Sequence, residues 1–383
     1  MAAVFVATPS RMKILQVITD RDRRGAQVFA TDLHAGLVSL AADVETVALT
    51  RGTHGDLLDI DVLGPARRSL ETFRELRRRA SDADIVIAHG SATLLACAVA
   101  LIGTRTPFVY RQISDPTHWA ASLSRRLRVA CFIRRAAGIV VLSPSVAAVF
   151  SHHYRILPER MTVIPNAVPA GRFMRPSAED RTAARTNLGV PEEMICVVSL
   201  SALSVEKGVD IAIRGVSELS RCRLLIVGDG PDRARLETLS AQMASNRITF
   251  TGPLSDPRVA LAAADVLVLP SRGGDSMPAV LIEAGLCGLP CISTPVGAIA
   301  DVVLDGTTGC IVPIGDQNRF SAALRQLSED PERRHAFGAA AERYCREHFT
   351  IEATAPAWLD LIDSIVRRPT RRGRACATQQ PRG

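Results

Sequence analysis

The chain has 383 residues, of which 47% are hydrophobic and 22% charged, which excludes an intrinsically disordered chain and leaves room for two ordinary domains. Its nine cysteines form no CxxC and no paired His/Cys spacing, which speaks against disulfides and structural zinc and for reduced thiols in a cytoplasmic setting. The net charge of +7 is uneven: residues 1–170 hold 21 Lys/Arg against 14 Asp/Glu, and residues 367–383 hold six Arg and no acid. A basic front half points to an anionic partner, a membrane surface or a phosphorylated ligand. Nucleic acid fits less well, because aromatics are only 4% and do not interleave with the arginines.

The start, MAAVFVATPS, lacks the basic region of a signal peptide. Strands are expected over Met12–Ile18 and Val44–Leu49, with a polar loop Asp20–Gln27 and a helix carrying Val28, Leu33 and Leu37 after the first. A helix over Glu71–Ala80 precedes a buried strand at Asp84–Ala88, and His89-Gly90 stands at its carboxyl end. The apolar run Ala92–Ile102 is too short to cross a bilayer and reads as a buried helix. Strands at Pro107–Tyr110, Gly138–Leu142 and Met161–Ile164 close the first half. Between them, Ser124–Arg135 places five arginines among apolar residues in a roughly amphipathic helix.

Pro165–Asn187, rich in Pro, Ala and charge, reads as a linker, after which the pattern begins again. Strands are expected at Ile195–Leu200, Arg223–Val227, Ile248–Phe250, Asp265–Leu269, Pro290–Ser293 and Cys310–Val312, with Glu206-Lys207-Gly208 opening a helix. Strand alternating with helix implies right-handed crossovers and parallel sheets. The fold class is therefore α/β, with two Rossmann-like, doubly wound domains facing across a cleft that gathers the carboxyl ends of both sheets. Residues 1–168 are expected to form the first domain and 169–349 the second, with a helix over 350–366 completing the first and a disordered basic tail over 367–383.

Within the second half, PSRGGDSMPAVLIE (Pro270–Glu283) reads as strand end, loop and helix start. The unpaired amides of such a helix start can hold phosphate oxygens. Asp275 ahead of them can hold a group joined to that phosphate, and Glu283 a turn inward can take hydroxyls.

The ordered series Arg24-Gly25-Ala26-Gln27, IPNAV (Ile164–Val168), EKG (Glu206–Gly208), VGDGP (Val227–Pro231), TGPL (Thr251–Leu254), DSMPAVLIEAGLCGLP (Asp275–Pro290) and DGTTGCIVP (Asp305–Pro313) resembles the retaining glycosyltransferases of family four, which have the two-domain GT-B architecture. The resemblance is dense from Asn166 to Pro313 and thinner before it. It implies a nucleoside diphosphate sugar donor bound mostly by the second domain, and a glycan or lipid-linked acceptor. Glu283 would hold the ribose hydroxyls and Asp275 would lie against the donor sugar. Lys207 would neutralise the leaving diphosphate, with Asp275 and Lys207 as the catalytic pair. Backbone around Met277, Pro278, Ala279 and Val280 would meet sugar and diphosphate, although Pro278 has no amide hydrogen to donate. Gly25, with no side chain, would let backbone approach phosphate, and Leu254 would pack against the base.

Three positions depart from the family pattern: Asp275 replaces the usual Glu, Ala202 the usual arginine, and Arg24 the first glycine of the Gly-Gly loop. Arg24 is a donor-side candidate to supply the lost charge from across the cleft, or else a solvated loop residue. His89 is the acceptor-side candidate or a structural histidine, since Arg111-Gln112-Ile113-Ser114 stand where the family histidine is expected and His118 is displaced from that place. Gly228-Asp229-Gly230 lacks the third glycine of a dinucleotide fingerprint. No HxE, HExxH or paired-acid pattern occurs, so the sequence calls for neither metal nor cofactor. The alternatives are an epimerase on the same architecture and a non-catalytic sugar-nucleotide-binding protein. The expected place of work is the cytoplasm, with peripheral contact to an anionic membrane.

Overall fold

The computed structural model describes residues 11–53, 57–113, 123–243 and 246–367. The expected basic tail after Arg367, and His118, lie outside the described residues. The first half runs β1 (Lys13–Asp20), α1 (Gly25–Ser39), β2 (Asp43–Thr50), β3 (Asp61–Val62), α2 (Leu70–Ser81), β4 (Ile85–His89), α3 (Ser91–Ala100), β5 (Phe108–Arg111), α4 (Leu123–Arg135), β6 (Gly138–Val141), α5 (Pro144–Tyr154) and β7 (Met161–Val163). The second runs α6 (Ala178–Asn187), β8 (Ile195–Leu200), α7 (Val209–Ser217), β9 (Cys222–Val227), α8 (Arg233–Met243), β10 (Ile248–Gly252), α9 (Arg258–Ala263), β11 (Val266–Leu269), α10 (Ala279–Leu286), β12 (Cys291–Ser293), α11 (Ile299–Val302) and β13 (Gly309–Ile311). Three helices close the chain: α12 (Gln317–Glu329), α13 (Pro331–His348) and α14 (Ile351–Val366).

Among the described residues the strands form two sheets, one of seven in the order β3-β2-β1-β4-β5-β6-β7 and one of six in the order β10-β9-β8-β11-β12-β13. Every pairing in both is parallel. All residues of β4, β5, β6 and β11 are buried, as strands covered on both faces require. In each sheet the winding reverses once, between β1 and β4 and between β8 and β11, and such reversals open a crevice at the strands' carboxyl ends. The architecture is a two-domain, Rossmann-like α/β fold.

The last helix belongs to the first sheet. Trp358 and Ile362 of α14 are fully buried and pack with Ile14, Leu33, Leu37 and Ile87. The chain thus crosses between the halves twice. The two crossings bond to each other where the Val168 amide donates to Phe349 O (3.1 Å) and the Ile351 amide to Val168 O (3.0 Å).

The expected linker Pro165–Asn187 needs correction, because its second half is α6. The Ser177 hydroxyl caps that helix by accepting from the Asp180 amide at 3.0 Å. Its two arginines are paired. Arg185 is 2% exposed, bonds Asp265 at 2.6 Å and three carbonyls that follow the helix, and Arg181 bonds the same carboxylate at 2.7 Å.

Candidate active site

The loops after β8 and β11 flank the reversal of the second sheet. The first carries Lys207 and the second Asp275, and the two side chains form a direct ion pair. The Ser271 hydroxyl donates to the other Asp275 oxygen, so both carboxylate oxygens are held. Backbone closeness makes this possible. Gly208 has φ 66°, and a Cβ there would lie 2.0 Å from Pro270 O. Arg272 clamps the same two loops, binding both oxygens of Asp210 (2.7 and 2.8 Å) and Val205 O (3.0 Å). Gly228 and Gly230 serve packing too: Cβ atoms there would meet Ser201 O at 2.0 Å and Leu203 O at 2.3 Å. The Gly-Asp-Gly turn is thereby pressed against the loop that carries Lys207.

Helix α10 starts behind Asp275. Pro278 is its N-cap, no side chain caps it, and its first turn holds no acid, so its first amides are free to meet an anion. Glu283, the fifth residue of α10, is mostly buried, and burial pushes its carboxyl up to about 7. The nearby Arg172 guanidinium works in the opposite direction and Asp32 in the same one. Arg172 binds both oxygens of Asp32 (2.9 and 2.5 Å), tying the interdomain crossing to α1.

Two adjoining cavities lie between the domains. One, of about 710 Å³, is lined by Arg24, Gly25, Phe29, Leu254, Ala279 and Glu283 among others. The other, of about 330 Å³, is lined by Gly25, Gly90, Arg111, Met277, Pro278 and Ala279 among others. They share Gly25, Asn166 and Ala279. The structure therefore brings Arg24, Gly25, Leu254, Met277, Pro278, Ala279 and Glu283 around one cleft. Val280, half-buried and packed against the core, lines neither cavity, and nor does the Lys207–Asp275 pair.

Two expected positions look different in the structure. Arg24 does not reach across the cleft: it binds both oxygens of the buried Asp20 (2.7 and 2.8 Å) and approaches Asp22 at 3.4 Å. Its side chain is 54% exposed, so it is a rim residue held by its own domain. His89 does not face the cleft. It is 2% exposed, its Nε2 bonds Gln16 Oε1 at 2.9 Å, and its ring stands near Phe29 and Trp358. Burial, and then the charge of Arg111, hold its pKa well below the usual imidazole value, so it is neutral. Ala202 is exposed after β8.

Sequence reasoning missed Asn166 as a site residue, although the IPNAV motif contained it. Asn166 Oδ1 accepts from Arg111 at 3.0 Å while its Nδ2 donates to Met277 O at 3.1 Å, so one amide joins β5 of the first domain to the loop ahead of α10. Ser276 adds a second link, donating to Ile113 O at 2.6 Å. Among the described residues no group of three or more His, Cys, Asp or Glu is placed to hold a metal ion.

Parallel sheets facing across such a cleft, each with its reversal beside it, define a GT-B glycosyltransferase fold. Family models match both halves: "Glycosyltransferase Family 4" over residues 23–172 and "Glycosyl transferases group 1" over residues 193–330. The chain belongs to the group 1, family four glycosyltransferases. It is 31% identical over 216 residues to a GDP-mannose-dependent monoacylated alpha-(1-6)-phosphatidylinositol monomannoside mannosyltransferase of Corynebacterium glutamicum, covering 53% of this chain and 56% of that one. It is 32% identical over 241 residues to a D-inositol 3-phosphate glycosyltransferase of Kineococcus radiotolerans, covering 56% and 54%. The match spans about half the length of these curated relatives. Among solved structures, Anabaena HepE in complex with UDP and glucose superposes with a TM-score of 0.81 at 21% identity, over 92% of this chain and all of that one.

Proposed function

We propose that the protein moves a hexose-type sugar from a nucleoside diphosphate sugar to an acceptor hydroxyl, with retention at the anomeric carbon. The observation that carries this reading is the placement of Glu283, Gly25 and Leu254 around one large cavity beside the start of α10, with the Lys207–Asp275 pair on the flanking loops. Base and ribose fit the larger cavity, with Leu254 against the base and Glu283 on the ribose hydroxyls. The diphosphate lies along Gly25 and the first amides of α10. The bond from the anomeric carbon to the phosphate oxygen breaks as the acceptor oxygen bonds the same face, and a departing phosphate oxygen takes the acceptor's proton. Charge grows on the diphosphate in that step, so fixed cations and amide dipoles there lower the barrier. Lys207 supplies the cation, turning from Asp275 towards the diphosphate, and Asp275 is left to meet sugar hydroxyls. No step calls for a metal.

The relatives are named for transfer to a phosphatidylinositol monomannoside and to an inositol phosphate, which favours a glycolipid or cell-envelope acceptor here as well. No helix among the described residues is long and apolar enough to cross a membrane. A lipid acceptor would be met by peripheral contact at the inner face of the membrane, through α4. Leu127, Arg128, Cys131, Arg134 and Arg135 are exposed on that helix while Ala130 and Ile133 turn inward.

The test is transfer from UDP-, GDP- and ADP-sugars to a panel of inositol phosphate and lipid-extract acceptors in EDTA, with the anomeric configuration of the product read by NMR. One donor should give product of unchanged configuration, and Lys207→Ala should lower kcat more than it raises donor KM. Inverted product, dependence on added metal, or a fully active Lys207→Ala enzyme would each refute the corresponding part.

A further inference from the structure

Arg172 stands just past the first crossing between the domains and forms a two-pronged ion pair with Asp32 of α1, Nη1 to Oδ2 at 2.9 Å and Nη2 to Oδ1 at 2.5 Å. The pair is unequal, since the Asp32 side chain is 7% exposed and that of Arg172 40%. Burial raises the Asp32 carboxyl above its usual range despite Arg172 and Arg23, and Glu352 of α14 adds to the rise. Both members of the pair line the 710 Å³ cavity together with Glu283. The Glu283 carboxyl takes no hydrogen bond from any described residue. Beyond burial, the charges acting on it are Arg172, which favours its ionised form, and Asp32, which opposes it. Cys287, one turn further along α10, is its other titratable neighbour, and burial pushes that thiol up to about 12, so it stays neutral.

A carboxyl group that grips two ribose hydroxyls does so best when ionised, because both of its oxygens then accept. In a mostly buried place the ionised form needs a cation nearby. Lys207 does not line this cavity, and Arg24 and Arg258, which do, are bound to Asp20 and Asp256. Arg172 is bound as well, but its partner Asp32 belongs to the other domain, so its position is set by how the two domains meet. We propose that Arg172 is a positioning residue for Glu283: fastened to Asp32 across the domain gap, it holds α1 and α10 at one spacing and supplies the cation that lets the Glu283 carboxylate accept both ribose hydroxyls. The ribose grip is thereby tied to contact between the domains. The inference rests on the assignment of Glu283 to the ribose.

The test uses the full chain and calorimetry with UDP, GDP and ADP, each beside its 2′,3′-dideoxy analogue, from about pH 5.5 to about pH 8.5. The ratio of the two affinities isolates the ribose hydroxyls and cancels the titration of the phosphate itself. Native protein should prefer the ribose form of its nucleotide by about tenfold or more above pH 7, and less as pH falls and Glu283 takes up its proton. Arg172→Gln should bring the two affinities together, and Arg172→Lys should keep part of the preference, because a point charge remains where the fork is lost. Asp32→Asn should keep the preference and move its onset to lower pH, since the acid that opposes Glu283 is gone and the arginine stays. Arg172→Gln leaves Asp32 buried without its partner, so the double variant Arg172→Gln with Asp32→Asn guards against a failure to fold and should lose the preference too. If neither folds, the direction of the shift in Asp32→Asn decides. A clasp that only held the domains together would weaken both analogues alike in every variant. An undiminished preference in a folded Arg172→Gln or double variant would overturn the proposal, as would an Asp32→Asn onset that stays put or moves to higher pH. Glu283→Ala separates the two readings. If it keeps the native preference, the ribose assignment falls and the proposal with it; if it loses the preference while the double variant keeps it, the proposal alone falls.

Discussion

Glu283, proposed here to hold the ribose, is kept at some cost to the fold. Its carboxyl ionises near 4.5 in an unfolded chain and at about 7 in the folded one, because burial opposes the charge. Between those values the unfolded chain has lost the proton that the folded one keeps. Stability attributable to this group is therefore full below pH 4.5, falls as pH rises through that window, and is constant above about 7. The whole loss is at most about 3 kcal/mol. Glu283→Gln should match the native melting point at pH 4 and exceed it increasingly up to pH 7; a difference independent of pH would contradict the burial argument. The acid and its spacing from Asp275 were legible in the sequence, since both stand in the run that begins the helix. Its raised pKa was not, because the burial that raises it comes from tertiary packing, with smaller and opposing effects from Arg172 and Asp32 in distant segments.

At the level of elements, the site depends on how closely two loops approach. Gly208 is needed both for its left-handed φ of 66° and for the 2.0 Å that a Cβ would leave to Pro270 O. Gly208→Ala should lower stability by about 1–3 kcal/mol and reduce turnover as well, by moving Lys207 away from Asp275. Native stability with native turnover, measured by denaturant unfolding and the transfer assay, would show that the loops adjust freely. Strand positions were largely legible, and β8 matches its expected span of Ile195–Leu200. Short runs of branched apolar residues bounded by turn signals read as buried parallel strands, whereas the longer run at Ala92–Ile102 became helix α3. Helix α6 was missed because a stretch rich in Pro, Ala and charge reads as a linker, although Arg181 and Arg185 in it are paired. Their partner Asp265 lies some 80 residues away, a separation invisible to local patterning. The packing of α14 on the first sheet is carried by Trp358 and Ile362, whose partners lie far away along the chain.

For the whole molecule, function depends on the two sheets presenting their carboxyl edges to one cleft, where Asn166, Ser276 and the Arg172–Asp32 pair span the gap. The basic front half was read as a surface for anions, and α4 is where exposed arginines meet exposed apolar side chains. With the residues after Arg367 removed, the protein should sediment with anionic vesicles and less with neutral ones. Arg126→Ser with Arg128→Ser should weaken that attachment, by about 1 kcal/mol per arginine and less at high salt. Equal sedimentation on both vesicle types would place the acceptor in solution. The central claim is narrower: the cleft binds a nucleoside diphosphate, with Glu283 on its ribose. Calorimetric titration of UDP, GDP and ADP into the native protein and Glu283→Ala tests it most directly. One nucleotide should bind the native protein at one per chain, and the folded variant should bind it at least tenfold more weakly; no binding by any of the three, or equal affinity in the variant, would contradict the account.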